Sequence, residues 1–486
     1  MSYGGLDIGT SNVKFAIYAA DGTLLSISQS AYGNNRQTDP NQLIGDTIWN
    51  TVKHTIRRAN LQCSHHDPLR AISVSSFGEA VVPIDRNGRD ICPAFLYTAP
   101  EGKEELEELL RRIDAEQIQR ITGVMPSVIF PPIKLNWYRN HTDVFDRAVK
   151  FLQFEDYIVW HLTGETCISL SLASRSMTLD IEKGEMSDLI LEHAEIDPRL
   201  LSTPVPSGTF IGTVQPHIAD ELALPHGVRV YAGGHDQMCG MIGAGAIIPG
   251  TLANASGTVE CISTLLSSDA SVEQLLKHNV YVSAFTKKDA HFSFVGTPAG
   301  CAILDWFRSL LLENSRQESI FQLMEQECTG KPSPVAVVPY MAGRGVPRRD
   351  TGATGSFLGL KLSTSRGDIY QAIMESLAFE MRIIQDIFMD SGICVREIHA
   401  TGGGSRSDLW MQLKADIYNH PVVRMESSEL SALGCAMIAA TADGVFSSLD
   451  EAAKVCVKKQ RTFEPNPANA RLFDEKYREY MAMWNQ

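Results

Sequence analysis

One apolar run closes at Leu6-Asp7-Ile8, Gly9-Thr10-Ser11-Asn12 turns the chain, and a second apolar run follows with Lys14 at its start. A turn of this composition presents backbone N–H groups and two hydroxyls, a cradle suited to phosphate oxygens. Asp7 offers a hard oxygen ligand for Mg²⁺, and Lys14 adds positive charge beside it. A tight hairpin with a buried aspartate would read the same way from this segment alone. Ser256-Gly257-Thr258 repeats the strand–turn–strand theme in the second half, so two related domains, each opening on a phosphate-type turn, are expected to hold a nucleotide between them. Gly402-Gly403-Gly404-Ser405 follows an apolar stretch and precedes a helical one, where a planar ring or a phosphate can approach bare backbone. A plain turn is the alternative there.

Gly233-Gly234-His235-Asp236-Gln237 is the remaining reactive turn. Asp236 stands between the end of a strand and the start of a helix, where its carboxylate can hold a hydroxyl and accept its proton; a plain helix cap would use the same residue. Phosphate cradles, a metal ligand and a base together are what phosphoryl transfer from ATP requires. No Walker A loop and no protein-kinase motif occurs, so ATP would be bound by a different design.

The elements that position these groups follow from periodicity. Residues 41–60 read as an amphipathic helix with Ile44, Ile48, Val52 and Ile56 at steps of four. Asp21-Gly22 predicts a two-residue hairpin turn. Strands are expected at 69–75, 80–84, 228–234, 251–255 and 394–400, and helices at 101–118, 134–139, 144–160, 238–247, 368–390 and 408–418, the last starting at Ser405 or Asp408. Residues 430–442 read as a helix whose Ala432, Gly434, Ala436 and Ala439 permit close packing. Ile248-Pro249-Gly250 breaks the pattern, which puts one domain at 1–247 and the other at 248–486.

A chain of 486 residues is long enough for two cores. Its net charge of −14 argues against general affinity for nucleic acid or anionic membrane. Ten cysteines are scattered singly, without a Cys-x-x-Cys pair, which reads as reduced thiols in a cytoplasmic protein and excludes a zinc cluster. His65-His66-Asp67 beside Pro68 reads as a solvated loop rather than a metal site. No run approaches the ~20 apolar residues of a membrane span.

The ordered set of segments resembles the FGGY carbohydrate kinases, the family of xylulose, ribulose, gluconate, fuculose and glycerol kinases. Those segments are Leu6 to Ser11, Leu162-Thr163-Gly164-Glu165, Ala173-Ser174-Arg175 with Leu179-Asp180, Gly234 to Gln237, and Ala255 to Thr258. Pro339-Tyr340, Phe357 to Leu360, Glu375 to Phe379, Gly402 to Trp410, Ala415-Asp416 and Ala432-Leu433-Gly434 complete it. The resemblance implies an α/β fold of two actin/hexokinase-like (ribonuclease H-like) domains with an interdomain catalytic cleft that closes over ATP-Mg²⁺ and a small sugar. It implies Asp236 as catalytic base, Asp7 with Asp236 at the metal, and adenine against Gly402 to Ser405. The N-terminal domain would bind the sugar and the C-terminal domain the nucleotide. A homodimer is left open.

The sugar pocket departs from the commoner pattern. Ser76-Phe77-Gly78-Glu79 stands where many relatives have a Gln-Met-His-Gly-like segment, and Tyr97-Thr98-Ala99 where many have Trp-x-Asp. Gly343-Arg344-Gly345-Val346-Pro347 replaces Gly-Glu-Arg-Thr-Pro. The expected polar contacts to substrate are therefore Glu79, Tyr97, Asp236 and Gln237, with Phe77 lining the pocket. Glu79 disfavours a sugar acid unless Lys14 or Arg344 offsets its charge, so a neutral ketose or polyol other than D-xylulose or glycerol is expected. A true xylulokinase is the alternative within the class. A superfamily ATPase or a sugar-sensing pseudokinase is the alternative outside it.

Overall fold

The computed structural model describes residues 1–32, 39–63, 67–311 and 317–484; His65 and His66 lie outside them. The chain packs as two compact units, Met1–Gly245 with Tyr281–Phe292 and Glu429–Val457, and Ala246–Val280 with Ser293–Ser428 and Lys458–Gln486. The first crossing falls two residues from the cut expected after residue 247, but the first unit also takes in Tyr281–Phe292 and Glu429–Val457, which a single cut assigns to the second domain.

In the first unit, β1 (Ser2–Ile8), β2 (Asn12–Ala19), β3 (Leu24–Ala31), β4 (Leu69–Ser76), β5 (Phe210–Thr213) and β6 (Arg229–His235) form one sheet in the order β5-β6-β4-β1-β2-β3. β1 runs antiparallel to β2 and parallel to β4, which is parallel to β6. Side chains alternate across β1. Leu6 and Ile8 enter the core with Ile48, Val52 and Ile56 of the helix Gly45–Gln62, each burial stabilising by roughly 1.5–3 kcal/mol. Gly5 faces the other way, where a Cβ would lie 1.8 Å from the Ala432 carbonyl oxygen. The small-residue helix Leu430–Ala442 thus lies directly on β1, and beside it packs the helix Asp236–Gly243. Asp7 shares the face of Gly5, pointing toward these two helices.

In the second unit, β7 (Thr251–Ser256), β8 (Glu260–Leu265), β9 (His291–Gly296), β10 (Glu397–Thr401), β11 (Val422–Met425) and β12 (Lys459–Phe463) lie in the order β9-β8-β7-β10-β11-β12. β7 is antiparallel to β8 and parallel to β10, β10 is parallel to β11, and β12 closes the edge antiparallel. The first sheet read from its other edge, β3-β2-β1-β4-β6-β5, has the same order, except that the second sheet carries one further strand, Tyr281–Ala284, beyond β9. The repeat suggested by Gly9-Thr10 and Gly257-Thr258 is therefore a repeat of whole sheets, with the two turns at matching places.

Some local expectations change. The 101–118 helix is two, Lys103–Arg112 and Ala115–Thr122, because Ile113 is extended and Asp114 caps the second by accepting from Glu116 and Gln117 N–H. Residues 144–160 hold a short helix, the strand Lys150–Leu152 and the start of the helix Phe154–Thr163. The Asp21-Gly22 turn is wider than two residues: only Gly22 has positive φ, and Ala19 N–H reaches Thr23 O. Among the described residues no helix is long and apolar enough to cross a membrane.

Candidate active site

Asp236 is the first residue of its helix, and His235 occupies the cap position, so the plain-cap reading does not hold. One carboxylate oxygen accepts the Gln237 N–H at 2.6 Å and lies 3.4 Å from His235 Nδ1. The side chain keeps 26% of its surface exposed. Even so, burial, the nearby Asp7 carboxylate and, more weakly, Glu79 push its pKa up to about 8, while the Gln237 bond and Arg175 pull the other way. Asp7 stands across from Lys14 and Ser75 in the ladder and accepts the Ser75 hydroxyl at 2.8 Å. Burial raises its pKa, opposed by Ser75 and Lys14. Two carboxylates on one face, one of them feeling the other's charge, make a hard-oxygen set suited to a divalent cation.

Glu79 is held in the left-handed region at φ +71°, a conformation that persists only where surroundings enforce it. Arg175 Nε and Nη2 donate to one Glu79 oxygen at 2.7 and 2.5 Å, and Glu79 N–H donates to Gln153 Oε1 at 3.2 Å. Arg175 lies over the rings of Phe130 and Tyr281, at 5.4 and 4.8 Å from their centroids. Tyr97 is 44% exposed, and the charges of Glu79 and Asp236 both act on its hydroxyl. Phe77 packs on Phe154 in the core of the first unit, 5.1 Å between ring centroids. Lys14 pairs with Glu429 at 2.7 Å, and the cation paired with Glu79 is Arg175. The sequence segment Ala173-Ser174-Arg175 carried that signal as a motif without a role.

Each of the two turns is closed by a hydrogen bond from its glycine N–H, over three residues in the first and two in the second. Gly9 N–H donates to Asn12 O at 2.9 Å and Tyr32 OH donates to Gly9 O at 2.6 Å; Gly257 N–H donates to Val259 O at 3.0 Å. Thr258 and Gly257 carbonyls accept from Gly300 and Cys301, where the helix Cys301–Leu311 begins. Gly402 has φ +86°, and a Cβ there would meet Ser256 O at 2.5 Å; a Cβ on Gly404 would strike the Trp410 ring at 2.3 Å, whereas one on Gly403 meets nothing within 4 Å. Ser405 Oγ donates back to Gly402 O, and the next helix, Asp408–Tyr418, is capped by Ser407, not by Ser405 or Asp408. Beneath this loop Lys414, fully buried, donates to Asn254, Ser256 and Glu260 at 2.7, 2.6 and 2.5 Å. Nothing in the sequence flagged it, since a lysine in a helix normally reads as a solvated residue.

Comparison with known proteins decides the family. The model of the N-terminal domain of the FGGY family of carbohydrate kinases matches residues 2–243, and that of its C-terminal domain matches residues 252–442. The chain belongs to this family. The FGGY chain is 27% identical over 476 residues to a xylulose kinase of Bacillus subtilis, covering 96% of this chain and 94% of that one. It is 29% identical over 487 residues to a glycerol kinase of Bordetella parapertussis, covering 96% and 93%. Its fold matches that of a ligand-bound xylulose kinase from Lactobacillus acidophilus with a TM-score of 0.89 at 22% identity, over 100% of this chain and 98% of that one. It is an ATP-dependent carbohydrate kinase, transferring the γ-phosphoryl group of ATP to a hydroxyl of a small sugar.

Proposed function

We propose that Asp236 is the base of this kinase and that its acceptor is a neutral ketose or polyol. The observation carrying this reading is the Asp236 carboxylate, recessed at the β6–helix junction, poised at a pKa of about 8 and neighboured by Glu79 and Tyr97. In the reaction the ionised carboxylate accepts the proton of the substrate hydroxyl as its oxygen bonds to the γ-phosphorus. The bond from that phosphorus to the β–γ bridging oxygen breaks, and ADP departs with the electron pair. Glu79, oriented by Arg175, accepts from sugar hydroxyls, and Tyr97 and Gln237 supply further polar contacts. Arg175, the cation acting on Asp236, is already bonded to Glu79, which favours a neutral substrate over a sugar acid.

Mg²⁺ fits Asp7 and Asp236. Among the described residues no group of three or more His, Cys, Asp or Glu forms a metal cage, and Mg²⁺ takes one or two carboxylates with phosphates and water as its other ligands. Bound there, it would neutralise charge on the transferring phosphoryl group. Gly9, Thr10, Ser11 and Asn12 in the first unit, and Gly257, Thr258 and Gly402 to Ser405 in the second, are assigned to ATP. Lys14, paired with Glu429 at 2.7 Å, is assigned to ATP with them. None of the ten cysteines forms a disulfide, which accords with work in the cytosol.

A second reading, D-xylulose as acceptor, draws on the xylulose kinases among the relatives. ADP release over a panel of ketoses, polyols and sugar acids separates the two: highest kcat/KM on D-xylulose selects the second. Asp236→Asn should cut sugar-dependent turnover by ~10²-fold or more with ATP binding retained. Near-normal turnover would remove Asp236 as the base.

A further inference from the structure

β6 does not enter the Asp236 turn as a regular strand. Tyr231 pairs with Ser73 and Gly234 with Ser75, so Ala232 and Gly233 stand opposite Val74 alone. Such a bulge bends a strand and re-aims the side chains beyond it, and it leaves local N–H groups to be satisfied from elsewhere. Two buried side chains do this. Glu155, second residue of the helix Phe154–Thr163 and 1% exposed, accepts the Gly233 N–H at 2.9 Å. Ser171 Oγ accepts the His235 N–H at 3.1 Å, one residue from Asp236. The second Glu155 oxygen accepts the Ser169 hydroxyl at 2.6 Å and its N–H at 3.2 Å, and Ser169 Oγ lies 3.4 Å from Ser171 Oγ. All three hydrogen bonds to Glu155 come from neutral donors. A buried carboxylate held by neutral donors alone costs stability, and what it delivers in exchange is a fixed local geometry.

We propose that Glu155 is a positioning residue for phosphoryl transfer: with Ser169 and Ser171 it clamps the β6 bulge and so fixes the direction in which Asp236 points. This rests on the reading of Asp236 as base. Burial pushing Glu155 up to about 7 accords with a carboxylate that has no cation to offset it.

The test compares full-length wild type, Glu155→Ala, Glu155→Gln and Ser171→Ala by steady-state kinetics and amide hydrogen exchange. Glu155→Ala should lower kcat by ~10–100-fold, the scale of a misplaced reacting group. KM for ATP should stay within about twofold, and exchange should quicken in peptides spanning 229–240 while peptides of the second unit are unchanged. Glu155→Gln keeps an acceptor for Gly233 N–H and should restore the local protection and most of kcat. If Glu155→Ala does not fold, Ser171→Ala must give the same kcat-selective loss. Unchanged kcat in the foldable variants, or a kcat loss with uniform quickening of exchange, overturns the proposal. Asp236→Asn keeps the two readings apart: normal turnover there removes Asp236 as base, whereas a kcat loss in Glu155→Ala without local exchange change removes Glu155 as the clamp.

Discussion

Asp236 joins two demands that oppose each other. As the proposed base its carboxylate must be ionised, yet burial and Asp7 favour the protonated form in the free enzyme. Below its pKa of about 8, kcat/KM for the sugar should therefore rise about tenfold per pH unit and level off above it, and this limb should vanish in Asp236→Asn. Stability runs the opposite way. The folded-state pKa lies above the unfolded value of about 3.9, so the folded state binds the proton more tightly. The stabilising contribution is complete below pH ~4 and is lost as pH rises through about 8. Asp236→Asn should consequently raise Tm near pH 9 by about 2–4 °C, read by scanning calorimetry, while cutting turnover by ~10²-fold or more. A flat pH profile, or a lower Tm in the variant, would contradict this account. The position of Asp236 was legible from its turn, but its raised pKa depends on burial and on the charges of Asp7 and Glu79, both far away in the chain.

At the scale of an element, the Gly402 to Ser405 loop divides its glycines by purpose. Gly402 needs its positive φ and its approach to Ser256, and Gly404 leaves room for Trp410. Gly403 has open space around a would-be Cβ. Gly403→Val should therefore leave Tm nearly unchanged and lower ATP affinity by tenfold or more in calorimetry, since the side chain would occupy the space assigned to adenine. Gly404→Val should instead destabilise by about 1–3 kcal/mol or more through overpacking against Trp410. Unaltered ATP affinity in a folded Gly403→Val would place adenine elsewhere. The glycine run announced this loop plainly. Lys414 beneath it did not announce itself, because only packing shows that its helix buries the face carrying it, against Asn254, Ser256 and Glu260.

At the scale of the molecule, the first unit cannot be built from the first half of the chain. Leu430–Ala442 lies on β1 with Gly5 against Ala432, and Gly243 and Gly434 allow the same closeness to the helix Asp236–Gly243: Cβ atoms there would sit 2.0 and 1.9 Å from Leu430 and Cys239 carbonyl oxygens. A fragment ending at Gly245 would expose that apolar face. It should be aggregated or molten, with helical far-UV signal but no near-UV signal, whereas the full chain is native. A cooperative, native-like melt of the isolated fragment would contradict this.

The sequence by itself determined the family and the reaction class, because the ordered motifs that carry the resemblance, among them the turns at Gly9 and Gly257, the Asp236 turn and the glycine loop, are local runs of residue types. It also determined the helices at 408–418 and 430–442, whose periodicity and small-residue pattern are intrinsic. Tertiary structure alone decided where the second of these packs, that Phe77 belongs to the core, that Glu79 is bound to Arg175, and that Glu155 holds the β6 bulge. Each of those depends on partners far apart in the chain, and a buried charge or a strand bulge leaves no period in the sequence by which to find it.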